Sequence, residues 1–245
     1  MGKAIYNPGG PAAEYSKWAC NLYVGQDKPQ LKKCFRDEDH AFEVFQRELE
    51  RNIFELQEYG LFFSFTTDPL LFETKELTMM AINDCLYNDI PVKILSKCTE
   101  YIDQFVYELQ CTDYDLSKIA FGFTLTGHDE LEPNASSNQE RIEAMFNLHD
   151  AGFKTWASIE PIIDFPSSLD MFHTTYGFCD LYKIGLKSRE IYKIANIRMF
   201  VNWILDDLNK NSYVYFKDSL LKAAGINRAD LPENCVDKDF NIFKS

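Results

Sequence analysis

Short apolar runs alternate with amphipathic helical stretches about seven times along this chain, and that alternation restricts its fold more than any other feature. The apolar runs fall at 18–24, 61–66, 92–95, 119–125, 154–159, 181–184 and 213–216. Between them, 37–51 carries Phe42, Val44, Phe45 and Leu49 at helical spacing, with Ile53 continuing the stripe. The stretch 76–88 does the same with Leu77, Met80, Ala81, Asp84 and Cys85. Further helices are expected over 101–109, over 138–150 closed by Gly152, over 167–176 capped by Ser167, over 189–208, and in a short segment ending at Gly225. No hairpin signal and no proline- or serine-rich linker interrupts the series.

Repeated βα units of this length predict a parallel sheet with helices outside. The expected class is α/β, a partial (β/α) TIM-type barrel of parallel strands. A single domain over 1–245 is expected, with a core at about 17–188 and a βα extension at 189–245. A complete barrel needs eight strands, more than the runs found here. A doubly wound sheet fits less well, because no glycine-rich phosphate loop follows any strand. In a barrel-like fold the site is built where the strands end.

Composition narrows the chemistry. At 245 residues, 46% apolar and 26% charged, the chain can bury a full core. No run reaches the length of a membrane span and residues 1–16 have no signal-peptide core, so a cytoplasmic location is expected. Seven cysteines stand singly, an odd number without a CxxC pair, which suggests neither a disulfide framework nor a zinc knuckle. Twenty-five basic against 38 acidic residues give a net charge of −13, unfavourable for nucleic acid unless the cations gather on one face. Lys28, Lys32 and Lys33 form the nearest thing to such a cluster, with Lys183, Lys187, Arg189 and Lys193 second; both read more simply as solvated loops or helix ends.

The residues at the strand ends are unusually polar. They are Ser64, Thr66, Thr67 and Asp68 after the second run, Ser96 and Lys97 after the third, Thr124 and Thr126 after the fourth, and Ser158 and Glu160 on the fifth. Helix caps and turns account for Thr67, Asp68 and Ser167 as well as a site does. Lys97, Thr124, Ser158 and Glu160 lie inside or at the mouth of apolar strands, where a charge needs a partner or a ligand. A Lys97–Glu160 ion pair across the mouth would satisfy both without any ligand. His149 falls on a helix stripe beside Phe146 and reads as a core or surface residue, while His128 lies in a loop with Asp129 and Glu130, which leaves a metal role open for it as the weaker reading. No nucleophile elbow, His-Glu-x-x-His or P-loop is present.

Several long segments carry a family resemblance in the right order: NPGGPAAEYSKWACNLYVG (7–25), LFFSFTTDPLL (61–71), IPVKILSKC (90–98), FGFTLTGHDELEPNASSNQERIEAMFNLHDAGFKTWASIEPIID (121–164) and LYKIGLKS (181–188). They resemble the radical SAM superfamily, and within it proteins akin to spore photoproduct lyase. The resemblance implies a partial barrel that holds a 4Fe–4S cluster by three cysteines, CxxxCxxC, in the loop after the first strand. It implies S-adenosylmethionine as the second cofactor, cleaved reductively to methionine and a 5′-deoxyadenosyl radical; the chemistry is the cofactors' own.

The cluster loop is where the resemblance fails. After Gly25 the chain reads Gln26-Asp27-Lys28-Pro29, and Cys34 is a single thiol near the next helix. A cluster needs several converging thiolates, so this chain is not expected to assemble one. Either the loop has been lost, leaving a degenerate member, or the natural protein carries a loop that this sequence lacks.

By position, the resemblance assigns Ser64, Thr66, Thr67 and Asp68 to the amino group of the methionine moiety, although the family's usual Gly-Gly-Glu pattern is not present. It assigns Lys97 to the methionine carboxylate, Thr124 to a ribose hydroxyl, and Ser158 and Glu160 to the ribose and adenine region. Tyr23 packs either on the cofactor or in the core. The DNA-lesion substrate of photoproduct lyases does not carry over, and the substrate is left open. Against a radical SAM enzyme stand a catalytically silent barrel that binds S-adenosylmethionine, a nucleotide or a partner protein, and a purely structural remnant.

Overall fold

The computed structural model describes residues 4–7, 15–25, 28–63 and 66–244. Its strands are β1 (Ile5–Tyr6), β2 (Trp18–Cys20), β3 (Tyr23–Val24), β4 (Gln30–Leu31), β5 (Leu61–Phe63), β6 (Val92–Ser96), β7 (Ile119–Thr124), β8 (Lys154–Ile162), β9 (Leu181–Leu186) and β10 (Tyr213–Phe216). Its helices are α1 (Glu38–Arg51), α2 (Ile53–Tyr59), α3 (Lys75–Tyr87), α4 (Ile102–Gln110), α5 (Asn138–Asp150), α6 (Phe165–Thr174), α7 (Ile194–Asp207) and α8 (Asp218–Ala224). Eight strands form one sheet in the order β1-β2-β5-β6-β7-β8-β9-β10. From β2 to β10 every pairing is parallel, as the βα alternation predicts. The sheet is open, with β1 and β10 at its edges, so no closed barrel forms.

Two strand pairings depart from the all-parallel expectation. β1 adds to β2 antiparallel, Ile5 opposite Cys20. The first apolar run is not one strand but two: β2 stays in the main sheet, while β3 turns away and pairs antiparallel with β4, Val24 opposite Gln30. Asn21 and Leu22 make the break, the Asn21 amide bonding to Ala4 and the Lys32 amide to Leu22. This hairpin lacks the usual two-residue signature because five residues separate its strands. Gly25 turns with φ +92°, and a Cβ there would stand 2.7 Å from the Lys28 carbonyl oxygen, so the position requires glycine. The junction at Gln26 lies outside the described residues.

Register sorts the side chains onto two faces. Leu95, Gly122, Trp156 and Leu181 stand in one row, and Thr124, Ser158, Lys183 and Tyr215 in the next. Their neighbours one residue away, among them Ile94, Phe121, Phe123, Ile159 and Ile184, face the helices and join Phe105, Met145, Leu148 and Phe172 in the main core. The first face carries a smaller apolar cluster of Ala19, Phe62, Ala120, Trp156, Leu181 and Ile242. Lys183, expected in a solvated group, is therefore buried on the sheet, because it shares the parity of Trp156 and Ser158.

Helix ends follow local chemistry. Asp37 caps α1 by accepting from the His40 amide at 2.8 Å, and Ser137 forms a capping box with Glu140 at the start of α5. The cap of α6 is Asp164 rather than Ser167, since its carboxylate takes the Ser167 amide at 2.8 Å and Pro166 fits the first turn. α7 starts at Ile194 and not at 189, where Arg189 has φ +68° and cannot be helical. Met80, expected on the buried stripe of α3, is 44% exposed, while Met79 on its other side is buried.

Candidate ligand site at the strand ends

The ends of β5, β6 and β7 and the loop after β7 enclose a cleft of ≈ 430 Å³. Thr66, Thr67, Asp68, Lys97 and Thr124 line it, so five of the positions singled out in the sequence converge on one cavity. Ser64 lies outside the described residues. Ser158 and Glu160 sit on the same face of the sheet but do not line this cleft.

Asp68 ties two strand ends together. Its carboxylate accepts from the Lys97 amide at 2.7 Å, the Leu70 amide at 3.0 Å and the Ser96 hydroxyl at 2.8 Å. Burial raises its pKa, and those donors, with the positive charge of Arg141, offset the rise only in part. Thr66 donates to Asn21 Oδ1 at 2.6 Å and also lies 3.0 Å from the Tyr23 carbonyl; Thr67 donates to the Gly25 carbonyl at 3.0 Å. These two hydroxyls fasten the β3–β4 hairpin beside the cleft and keep oxygen lone pairs available. Tyr23 is a core residue at the base of that hairpin, its hydroxyl donating to Glu38 at 2.8 Å.

Lys97 is the one cation lining the cleft among the described residues, with its side chain 46% exposed. Its partner is Glu132 and not Glu160, which overturns the ion pair considered from sequence. The loop after β7 folds back over β6, the Ser136 amide bonding to the Lys97 carbonyl at 3.0 Å, and this carries Glu132 to the cleft. Glu132 also meets Arg141 Nη1 at 2.8 Å, and the same nitrogen donates to the Thr124 carbonyl at 2.7 Å. Burial pushes the Glu132 carboxyl up, but Lys97 and Arg141 outweigh it and hold the group below its ordinary value.

Glu132 and Arg141 were missed in the sequence. A signal existed for Arg141: it interrupts the buried stripe Asn138, Ile142, Met145 and Leu148 of α5, and a charge on such a stripe needs a partner. Glu132 carried none, lying in an acidic run that reads as solvated.

Glu160 belongs to a different group. Tyr15 donates to its Oε2 at 2.7 Å, Lys217 Nζ is 2.8 Å from the same oxygen, and Ser158 lies 3.5 Å from the Tyr15 hydroxyl. Lys183 stands 4.3 Å from the Tyr15 ring centroid. Gly185 makes room for this group, since a Cβ there would come within 2.8 Å of Lys217. His128 is held between Glu130 at 2.7 Å and Asp164 at 2.6 Å, which together raise its pKa and bind the β7 loop to the start of α6. His149 is on the exposed side of α5.

A cleft of this size, with one cation and several hydroxyl and carboxylate oxygens, fits a zwitterionic nucleoside-sized ligand. An iron–sulfur cluster does not fit. All seven cysteines lie among the described residues; Cys20, Cys85, Cys179 and Cys235 are buried, Cys34 and Cys111 are exposed, and Cys98 alone lines the cleft. No group of three or more potential metal ligands occurs among the described residues.

No family model matches the chain, and no curated protein matches it in sequence. In fold it is similar to Streptococcus suis SuiB. With SuiB bound to S-adenosylmethionine the TM-score is 0.55 at 13% identity, covering 73% of this chain and 45% of that one. A structure of SuiB gives 0.53 at 13%, covering 81% and 48%. SuiB bound to the precursor peptide SuiA gives 0.54 at 14%, covering 77% and 46%. The chain thus spans about half the length of SuiB, and at these identities the likeness is one of fold. No helix among the described residues is long and apolar enough to cross a membrane.

Proposed function

We propose that this chain is a radical SAM-type protein whose strand-end cleft binds S-adenosylmethionine, and that in the sequence given it does so without an iron–sulfur cluster. The observation that carries the reading is the position of Lys97: a half-exposed ammonium at the mouth of a cleft whose polar lining includes the Thr66, Thr67, Ser96 and Thr124 hydroxyls and the Asp68 and Glu132 carboxylates, set among apolar residues such as Leu71, Leu95 and Leu131. The methionine carboxylate pairs with Lys97, a charge-assisted contact the ammonium can make while keeping Glu132, because it has three donors. The methionine ammonium is held by oxygens of Asp68, Thr66 and Thr67, and a ribose hydroxyl by Thr124. Likeness in fold to a protein whose structure contains S-adenosylmethionine supports the choice of ligand.

Reductive cleavage requires an electron delivered by a cluster on converging thiolates. A hairpin, β3–β4, occupies the stretch after β2 where the family places its cysteines, and Cys98 is a single thiol. The chain is therefore a ligand-binding protein on an open parallel sheet, and a three-cysteine loop inserted after Gly25 is the change that would give it catalysis. Its substrate class is not assigned.

Calorimetric titration tests the binding. S-adenosylmethionine should bind the wild-type chain weakly, because its chelation to iron is missing, and Lys97→Ala should weaken binding about tenfold, the loss of a partly exposed charge-assisted contact. Absence of heat at millimolar ligand, or equal binding by both proteins, would contradict it.

A further inference from the structure

A second cavity, ≈ 470 Å³, opens at the other end of the strands, where β2, β5 and β6 begin. Tyr15, Tyr59, Lys93 and Phe240 contribute to its walls, and Lys17, Lys238 and Asp239 to its rim. Lys93 comes from the second position of β6, opposite Phe62 and Ala120, so its side chain lies on the same face as Trp156. The residue is 7% exposed.

No hydrogen bond or ion pair joins the Lys93 ammonium to any described residue; it stands 5.5 Å from the centroid of the Phe243 ring. The other charges at the cavity do not compensate it. Lys17 is committed to Glu55 at 3.0 Å and lies over the Tyr59 ring, while Lys238 and Asp239 are exposed to solvent. Burial alone lowers the Lys93 pKa to about 8. An ammonium placed in a protein interior without a counter-charge is costly. A buried cation that faces a cavity and has no counter-charge among the described residues is what an anion site looks like before its ligand arrives.

We infer that this chamber is a second binding site, for a small organic anion with a carboxylate on a planar apolar body. The carboxylate supplies the missing counter-charge at Lys93, and the body lies among the Tyr15, Tyr59 and Phe240 rings. The site is separate from the strand-end cleft and does not depend on S-adenosylmethionine binding there.

Benzoate is the probe. Calorimetric titration of the full chain should show saturable binding, and Lys93→Met should weaken it at least about tenfold, the worth of a buried charge-assisted contact. Without benzoate, Lys93→Met should melt at or above the wild-type temperature. In wild type, saturating benzoate should slow acetylation of Lys93 by acetic anhydride, read by mass spectrometry, several-fold relative to Lys238. Three results would each overturn the site: no heat with wild type, equal benzoate affinity in the two proteins, or Lys93 acetylation unchanged by benzoate. A Lys93→Met protein that melts well below wild type would make Lys93 structural and count against it as well.

Discussion

Lys97 and Glu132 are joined as an ion pair at the mouth of the cleft, and Glu132 passes the contact on to the fully buried guanidinium of Arg141 at 2.8 Å. Arg141 Nε and Nη2 have no partner among the described residues, so Glu132 and the Thr124 carbonyl are the contacts that hold it. Removing the carboxylate leaves a buried cation uncompensated. Glu132→Ala should destabilise the chain by about 3 kcal/mol in urea denaturation at neutral pH, where breaking a buried pair typically costs 3–5 kcal/mol.

The same carboxyl sets an acid limit. Its pKa in the fold is held below the unfolded value, so its contribution to stability is full above the ordinary glutamate range and is lost as pH falls through the lowered value. Glu132→Gln should flatten the stability profile below about pH 4.5 while wild type keeps falling. Equal acid slopes would show that the pair does not stabilise the folded state.

Trp156 lies against the backbone of Gly122 in the neighbouring strand, where a Cβ would sit 2.1 Å from the indole ring. Gly122→Ala should force the ring off the sheet, destabilising the protein by roughly 1–3 kcal/mol or more, as overpacking does. The change should shift the tryptophan emission to the red. An unchanged spectrum and stability would mean that the indole has room to move.

The strand runs at 92–95, 119–125 and 213–216 and the helix at 138–150 are found where periodicity put them, because β-branched and apolar runs between caps leave little choice. Five cleft residues came together because βα strand ends share one side of the sheet. The split of the first run into β2 and β3 was not legible, since Asn21 is a single polar residue in an otherwise apolar run and the break depends on its amide reaching the Ala4 carbonyl just before β1. Lys97 had to be paired across space. The sequence pointed to Glu160 at a strand end, and only the path of the loop after β7 brings Glu132 to Lys97 instead. The isolation of Lys93 was invisible for the same reason: a lysine in VKIL reads as a solvent-facing strand position until the face is known to be covered.

Lys93 also shapes stability at alkaline pH. Its pKa in the fold is about 8, below the unfolded lysine value, so the unfolded chain binds more protons between the two. Stability should therefore rise as pH increases from about 8 towards 10, by up to roughly 3 kcal/mol from this group. Tyr15, Tyr59, Lys17, Lys238 and Asp239 also border the chamber, so the effect is read as the difference between wild type and Lys93→Met. Parallel profiles for the two proteins would contradict the burial of an uncompensated amine.

Thiol chemistry tests the proposal that the chain carries no cluster. In the native chain, Cys34 and Cys111 should react quickly with a thiol reagent, Cys98 more slowly, and Cys20, Cys85, Cys179 and Cys235 only on unfolding. Burial raises the pKa of the Cys20, Cys85 and Cys179 thiols and brings Cys235 to about 11, which keeps them protonated and inert. Anaerobic reconstitution with iron and sulfide should give substoichiometric iron and no cluster absorbance. A full cluster on this chain would show that the fold gathers thiolates in a way these positions do not allow.

The most direct measurement is a crystal structure of the chain soaked with S-adenosylmethionine. The account predicts the methionine carboxylate within about 4 Å of Lys97 Nζ, an ion-pair distance, with the ammonium against Asp68, Thr66 and Thr67 and no metal between ligand and protein. Ligand bound elsewhere, or in the cleft with its carboxylate turned away from Lys97, would contradict it.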